Sequence, residues 1–272
     1  MNITKDWRTF KAVFLRNLKF YTSYKSWVIA TVIWPIPLLA LNIYQYMAFG
    51  TPEQINEILG PGGYGIIVVG TVVYLLYNRL LWGTGVSIQS ERWMGTIEVL
   101  FLTPTNKMII LIASGLSSLI EASWWIFSIF FLGWTIFGVN PNITSWPAVF
   151  ISIASTMAAL VSVGVFFAGF FVLSRAADQL ASGLQAPIRF FSGVAFPVSA
   201  LPQMLQYVSY VIPVTYGIAA LRECVLSGGD FGSIWAYIAP LWLMSIIFLI
   251  LGQITLSVVT RQTKKKGTLY LM

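Results

Sequence analysis

Six stretches of the chain stay apolar over twenty or more residues, at roughly 27–49, 63–89, 108–137, 147–173, 180–200 and 234–259. Each is long enough for the ~20 residues with which a helix crosses a ~30 Å hydrocarbon core, so the pattern predicts six spanning helices. Ahead of them, KDWRTFKAVFLRNLKFYTSYK sets Trp7, Phe10, Phe14, Leu18 and Tyr21 at helical spacing, with Lys5, Arg8, Arg16 and Lys19 on the other side. That division predicts an amphipathic helix within residues 1–26, lying in the headgroup layer with its basic face outward. After the first run, Thr51, Pro52 and Gln54 form a capping-box pattern with proline at the first helical position, predicting a short helix outside the membrane that stops near Gly60.

The order of polar and apolar positions is less simple at 202–229, PQMLQYVSYVIPVTYGIAALRECVLSGG. Pro202 and Pro213 divide it into pieces of roughly ten to thirteen residues, about 15–20 Å each at 1.5 Å rise and too short for the core. Two half-helices that dip in from the external face and return are expected here, a course tolerated at depth only where protein or a water-filled cavity surrounds the backbone. Basic residues give the orientation. With six alternating spans, the N-terminal segment, Arg92, Lys107, Arg175, Arg261, Lys264, Lys265 and Lys266 share one side and only Arg222 falls on the other. The basic side is cytoplasmic by the positive-inside rule. The reading is therefore a multi-pass plasma-membrane protein with both termini cytoplasmic: an interfacial helix at 1–26, a six-helix domain at 27–260 and a basic tail at 261–272.

Composition agrees with lipid as the solvent. The 272 residues are 57% hydrophobic and 9% charged, against about 25% charged in a soluble domain. The net charge of +7 sits at the flanks of apolar runs, which argues for membrane orientation and against nucleic-acid binding. A single cysteine, Cys224, excludes an internal disulfide, and the lack of histidine removes Cys/His metal sites and the commonest general base. Six basic residues before the first apolar run, with no small-residue cleavage pattern after it, speak against a cleavable signal peptide.

Between the second and third runs lies SERWMGTIEVLFLTPTNK, residues 90–107. Its spacing predicts a short amphipathic helix over 90–104 with a break near Gly95, ending before Pro104, where Thr103 caps the next helix. Such a segment can lie on lipid, pack on its own bundle or insert into another protein. SERWMGTIEVLFLTP resembles the loop of the ABC-2 type transporter permeases that forms the coupling helix, with an acidic-basic pair Glu91-Arg92, then Gly95, Thr96, a hydrophobic Ile97, Glu98, and later Thr103-Pro104. A distant second stretch, SGVAFPVSALPQMLQYVSYVIPVTYGIAALRE with Pro197, Pro202, Pro213, Tyr216 and Arg222, is similar to the end of span five and the re-entrant external helices of the same family. The six-span order agrees along nearly the whole chain.

This resemblance implies an all-α permease subunit of an ATP-driven exporter, paired with a second permease copy, identical or not, around a path and docked on two cytoplasmic ATP-binding subunits. The chain has no G-x-x-x-x-G-K-[ST] loop and no Gly-Lys pair. ATP and Mg would then belong to the partner subunits, no cofactor to this chain, and hydrolysis would not be its own reaction. Ile97, Leu100 and Phe101 are then expected to fill a groove on the ATPase, with Glu91, Arg92 and Glu98 fixing register at the rim.

Three ionisable residues fall inside runs: Arg79, Glu121 and Arg189. Each costs at least ~2.5–3.5 kcal/mol at a helix centre and so must face protein or water. Arg79 and Glu121 lie at matching depth and are expected to be able to meet. Glu121 continues a stripe of Ser114, Ser117, Ser118 and Ser128 that either lines a path or joins helices. Arg189 departs from the family's usually apolar fifth span, leaving three roles open: an anionic substrate, Asp178 or a headgroup. Aromatic residues at both ends of the first two spans, among them Trp27, Trp34, Tyr64 and Trp82, read as interface belts, with some able to contact a hydrophobic drug, a lipid or a glycan. Asn142-Ile143-Thr144 is a glycosylation sequon. A self-contained channel or secondary transporter is the alternative, but no internal repeat supports it.

Overall fold

The computed structural model describes residues 3–48, 50, 63–96, 99, 100, 103, 105–174 and 176–266. The expected capping-box helix at 51–60, Ile97, Glu98, Phe101, Leu102, Pro104, Arg175 and the last residues of the tail lie outside these. All regular elements among the described residues are helical: α1 (Ile3–Ser23), α2 (Lys25–Ile33), α3 (Pro35–Met47), α4 (Gly63–Leu80) continuing into a π turn (Leu81–Gly85), α5 (Ser87–Trp93), α6 (Lys107–Thr135), α7 (Trp146–Leu173), α8 (Ala177–Phe191), a 3₁₀ turn (Val198–Ala200), α9 (Gln203–Tyr210), α10 (Pro213–Val225) and α11 (Phe231–Lys266).

Among the described residues, five stretches are long and apolar enough to cross a membrane: Lys25–Met47, Gly63–Gly85, Lys107–Thr135, Trp146–Val172 and Phe231–Arg261. They agree with five of the six predicted runs, the first being broken where Pro35 starts α3. The fifth predicted span, 180–200, differs. Its helix α8 is 15 residues long, or about 22 Å at 1.5 Å rise. Gly193 stops it, sitting one residue past the C-cap Ser192 at φ 75°, a conformation that glycine adopts without a Cβ clash. The bent pair α9–α10, at 92°, follows.

Contacts at the two ends show that α8 nonetheless carries the chain across. At one end the Asn142 amide donates to the Val225 carbonyl at 2.7 Å, Gly65 abuts Leu226, and Gly228 abuts Asn142 and Thr144. At the other, Arg92 reaches the Val172 and Ser174 carbonyls, and Leu100 shares a small cavity with Leu111, Val172 and Leu256. These are the α10 end and the α5 end. The chain leaves α7 at the α5 end, yet Gly193 and Val194, just past α8, lie at the α10 end, where Arg222 holds their carbonyls together with that of Ile66. Among the described residues the chain thus makes six passages between the two ends of the bundle, and both α1 and the end of α11 lie at the α5 end.

The centre of the bundle is α4, with Ile67, Val68, Val73, Leu76, Tyr77 and Leu80 at most 1% exposed. Its π turn is a crossing point. Thr84 fits against Gly164 of α7, where a Cβ would stand 2.7 Å from the Thr84 Cβ, and Gly83 faces Ser118 of α6. Small residues let helix backbones approach closely in a bilayer, where apolar surface alone does not drive association. α10 runs antiparallel to the first half of α7, with Cys224 beside Ser152 and Gly217 against Thr156.

Candidate functional site

The segment after the π turn is held from inside. Glu91 of α5 is 6% exposed. One carboxylate oxygen lies 2.7 Å from the Arg16 guanidinium of α1, and the other accepts the Thr96 hydroxyl at 2.6 Å. Arg92 donates to Gln89 at 2.9 Å, to the Ser174 carbonyl at 2.9 Å and to the Val172 carbonyl at 2.7 Å. It thereby satisfies acceptors that the end of α7 leaves free. The rim positions expected for these two residues are thus occupied by internal work: Glu91 fastens α5 to α1, and Arg92 fastens it to α7. Gly95, at φ 70° with nothing near its Cβ position, reverses the chain behind them. Leu100 is half-buried and turned toward the bundle. Lys107 bonds back to the carbonyls of Leu100 and Thr103, and Asn106, not Thr103, caps α6 by accepting the Met108 amide at 3.0 Å.

The outward surface of this end is apolar: Trp93 is 69% exposed and Met94 61%, two positions that the sequence pattern did not single out, and Val99 of the apolar cluster is 64% exposed. The available signal was the Trp-Met pair directly before a helix-ending glycine.

Further in, Arg79 and Glu121 form a salt bridge, as their depths predict. Two groups complete it. Arg79 donates to the Tyr21 hydroxyl at 2.9 Å, and the Trp27 side chain hydrogen-bonds to Glu121. Burial pushes the Tyr21 hydroxyl above its usual value of 10.0, against the lowering pull of Arg79, so it stays a neutral phenol. Asn17 donates to Ser117 at 3.0 Å and to Ser114 at 3.4 Å, and Ser114, Ser117, Ser118, Glu121 and Ser128 are all buried. The serine stripe is an internal seam, its first half running along α1. Helix α1 packs parallel to the start of α6 through half-buried Phe10, Phe14, Leu18 and Tyr21, with Lys5, Arg8, Lys11 and Lys19 exposed.

Among the described residues Arg189 forms an ion pair with neither Asp178 nor any other acid. The two lie eleven residues apart on one helix, about 16 Å. Instead Arg189 donates to the Asn42 side chain of α3 and stands 5.7 Å from the Tyr74 ring centroid of α4, while Asn42 donates to Thr71 at 3.1 Å. Around the α9–α10 bend, Pro197 begins the 3₁₀ turn, Pro202 precedes α9, Pro213 opens α10 and Tyr216 is half-buried. Arg222 is the structural centre of that region, donating to Ile66 at 2.9 Å, Gly193 at 2.8 Å and Val194 at 3.2 Å.

The family model for ABC-2 type transporters matches residues 8–226, which includes both the fastened α5 segment and the Arg222 latch. The chain belongs to the ABC-2 type transporter family. This ABC-2 chain is also 27% identical over 212 residues to the inner membrane transport permease YhhJ of Escherichia coli K12, covering 71% of its own length and 51% of that protein. The YhhJ permease of Shigella flexneri matches to the same extent. The chain spans about half the length of these curated relatives. Family and apolar helices together make it a multi-pass membrane protein.

Proposed function

We propose that the chain is the membrane permease subunit of an ATP-driven exporter, working as a pair of permease copies docked on two ATP-binding subunits. The observation that carries this reading is the fastened α5 segment. Its polar residues are spent on holding it rigidly to α1 and α7, which leaves Trp93, Met94 and Val99 as apolar anchors pointing away from the bundle. Exposed aromatic and aliphatic side chains on a rigid base are the chemistry of a docking hot spot, and the fastening carries a push on the segment into α7 and α1. Ile97 and Phe101 belong to the same docking reading, with Glu98 at its rim. Basic residues concentrated at the α5 end support a cytoplasmic placing of that end and of both termini.

Pairing of two copies is supported by α8. Gln179, Ser182, Gly183 and Ala186 are exposed on this short helix, and polar groups at membrane depth belong against protein or water, not lipid tails. In the pair they would face the other copy or the path, with Arg189 beside them. The substrate class proposed for this path is a hydrophobic drug, a lipid, or a glycan or glycolipid.

The test is co-purification of the chain with its ATP-binding subunit from membranes, together with ATP hydrolysis in vesicles. Trp93→Ala with Val99→Ala is expected to remove roughly 2 kcal/mol per central anchor, releasing the subunit and uncoupling hydrolysis while the permease still inserts. Retention as tight as in the parent, or transport by the chain alone, overturns the reading.

A further inference from the structure

Helices α6 and α7 are consecutive, joined by residues 136–145, yet near that loop they do not close on one another. A cleft separates them. Its floor is Val69 and Val72 of α4 with Leu221 and Val225 of α10, and its walls include Phe130 and Ile153. One lobe holds about 320 Å³. A second lobe of about 330 Å³ shares Val69, Phe130 and Val225 with it and continues along α6 to Trp134. The mouth is open to the outside of the bundle between Phe127, 63% exposed, and Phe150, 64% exposed.

We propose that this cleft binds an acyl chain of a bilayer phospholipid from the leaflet at the α10 end. The proposal rests on the chain spanning a membrane and is independent of any ATPase partner. Three arguments select the occupant. The lining side chains are all apolar apart from the indoles of Trp134 and Trp146, so water gains no partners there and leaves it dry. A ligand that must be oriented by polar contacts finds none, unlike an ordinary small-molecule pocket with its few placed polar groups; a flexible alkyl chain needs none. Finally, the mouth opens onto the surface that lipid tails bathe, and an empty cleft there forfeits the dispersion contacts of its whole lining. Trp134 and Trp146, 61% and 60% exposed beside the polar loop, place the headgroup, since tryptophan favours the membrane–water interface. An inserted chain presses on Leu221 and Val225, the neighbours of Arg222 on α10.

The experiment places the full chain in nanodiscs with a trace phospholipid carrying a diazirine midway along one acyl chain, then maps adducts by mass spectrometry. Adducts on Phe130, Ile153 and Val225 are expected to exceed those on Ile246 and Ile250, exposed on α11, by about fivefold or more, equivalent to about 1 kcal/mol of preference. Phosphatidylglycerol and phosphatidylethanolamine probes should label alike, because no charged side chain lines the cleft. Ile153→Phe, which fills the wall, should lower cleft adducts by a similar factor and leave α11 unchanged. The parent's labelling ratio stands on its own if that variant does not fold. Equal labelling of cleft and α11 overturns the proposal, as does a strong headgroup preference. A cleft filled by a second copy of the chain gives no lipid adducts on Phe130, Ile153 and Val225, and that also overturns it.

Discussion

The two ends of the bundle hold their chain reversals by opposite means. At the α5 end two fastenings are charged and paired, Arg16 with Glu91 and Arg79 with Glu121, and Arg92 adds a hold on the last carbonyls of α7. At the α10 end one guanidinium, Arg222, meets only backbone carbonyls, and the rest of the fit is close approach of small residues, such as Gly70 against the Val194 backbone and Gly217 against Thr156. A paired charge tolerates a small change of shape but not the loss of its partner. A backbone latch tolerates a change of charge better than a change of size. The first kind suits a defined linkage between helices, the second a close seal around irregular backbone.

The largest effect is expected from splitting the buried pair. Glu121→Gln leaves Arg79, 15% exposed, facing an unmatched site, and removal of one partner from a buried pair costs roughly 3–5 kcal/mol. Unfolding in detergent micelles, followed through a double-mutant cycle with Arg79→Met, should return part of that loss in the double variant. If the double variant is no more stable than Glu121→Gln, the α5 end is not held by paired charge and the comparison fails there.

Arg222→Met is expected to cost somewhat less, about 2–3 kcal/mol, because orphaning carbonyls is offset in part by removing a buried charge that itself opposed folding. Gly70→Ala tests the same latch by size, since its Cβ would collide with the Val194 backbone and stand 2.9 Å from Arg222 Nη2. Unfolding midpoints for both should fall together. A Gly70→Ala variant as stable as the parent would mean that the latch is not tight.

These contrasts were unevenly legible in the sequence. The apolar runs reported their own positions, because the length of an apolar run is a local property, and the matching depth of Arg79 and Glu121 left open a pair that the fold then formed. Helix α8 came out shorter than its run, since the run's apolar residues continue past Gly193 and carry no mark of where hydrogen bonding stops. The partners Asn17, Trp27 and Asn42 were missed: they are meetings of distant segments, which no local pattern encodes. Glu91 and Arg92 were placed at a rim because an acid beside a base in a loop looks the same whether it faces solvent or a neighbouring helix. Only the fold showed α1 lying alongside.

Gly95→Ala falls next in size. At φ 70° an L-residue costs about 1–2 kcal/mol, with no steric contact to add. The loss should appear as faster proteolysis between Trp93 and Lys107, with the bundle's own unfolding midpoint nearly unchanged.

The smallest stability effect belongs to Arg16, and it separates fastening from folding. Arg16 is 53% exposed while Glu91 is only 8% exposed at its side chain, so solvent and salt screen the arginine's side of the pair, and such half-open bridges contribute about 0–1 kcal/mol. Arg16→Gln should therefore leave the unfolding midpoint within a degree or two, a shift in keeping with so small a loss, and added salt should reduce the parent toward the variant. Glu91→Gln should cost more, since it also weakens the acceptor for Thr96. The informative readout is a distance measurement between spin labels at Phe20 on α1 and Met94 beyond α5, both exposed. If the pair fastens the two elements, the Arg16→Gln distribution broadens while the midpoint stays. An unchanged distribution would leave the hold on α5 to Arg92 and α7 alone, and α1 would drop out of the linkage.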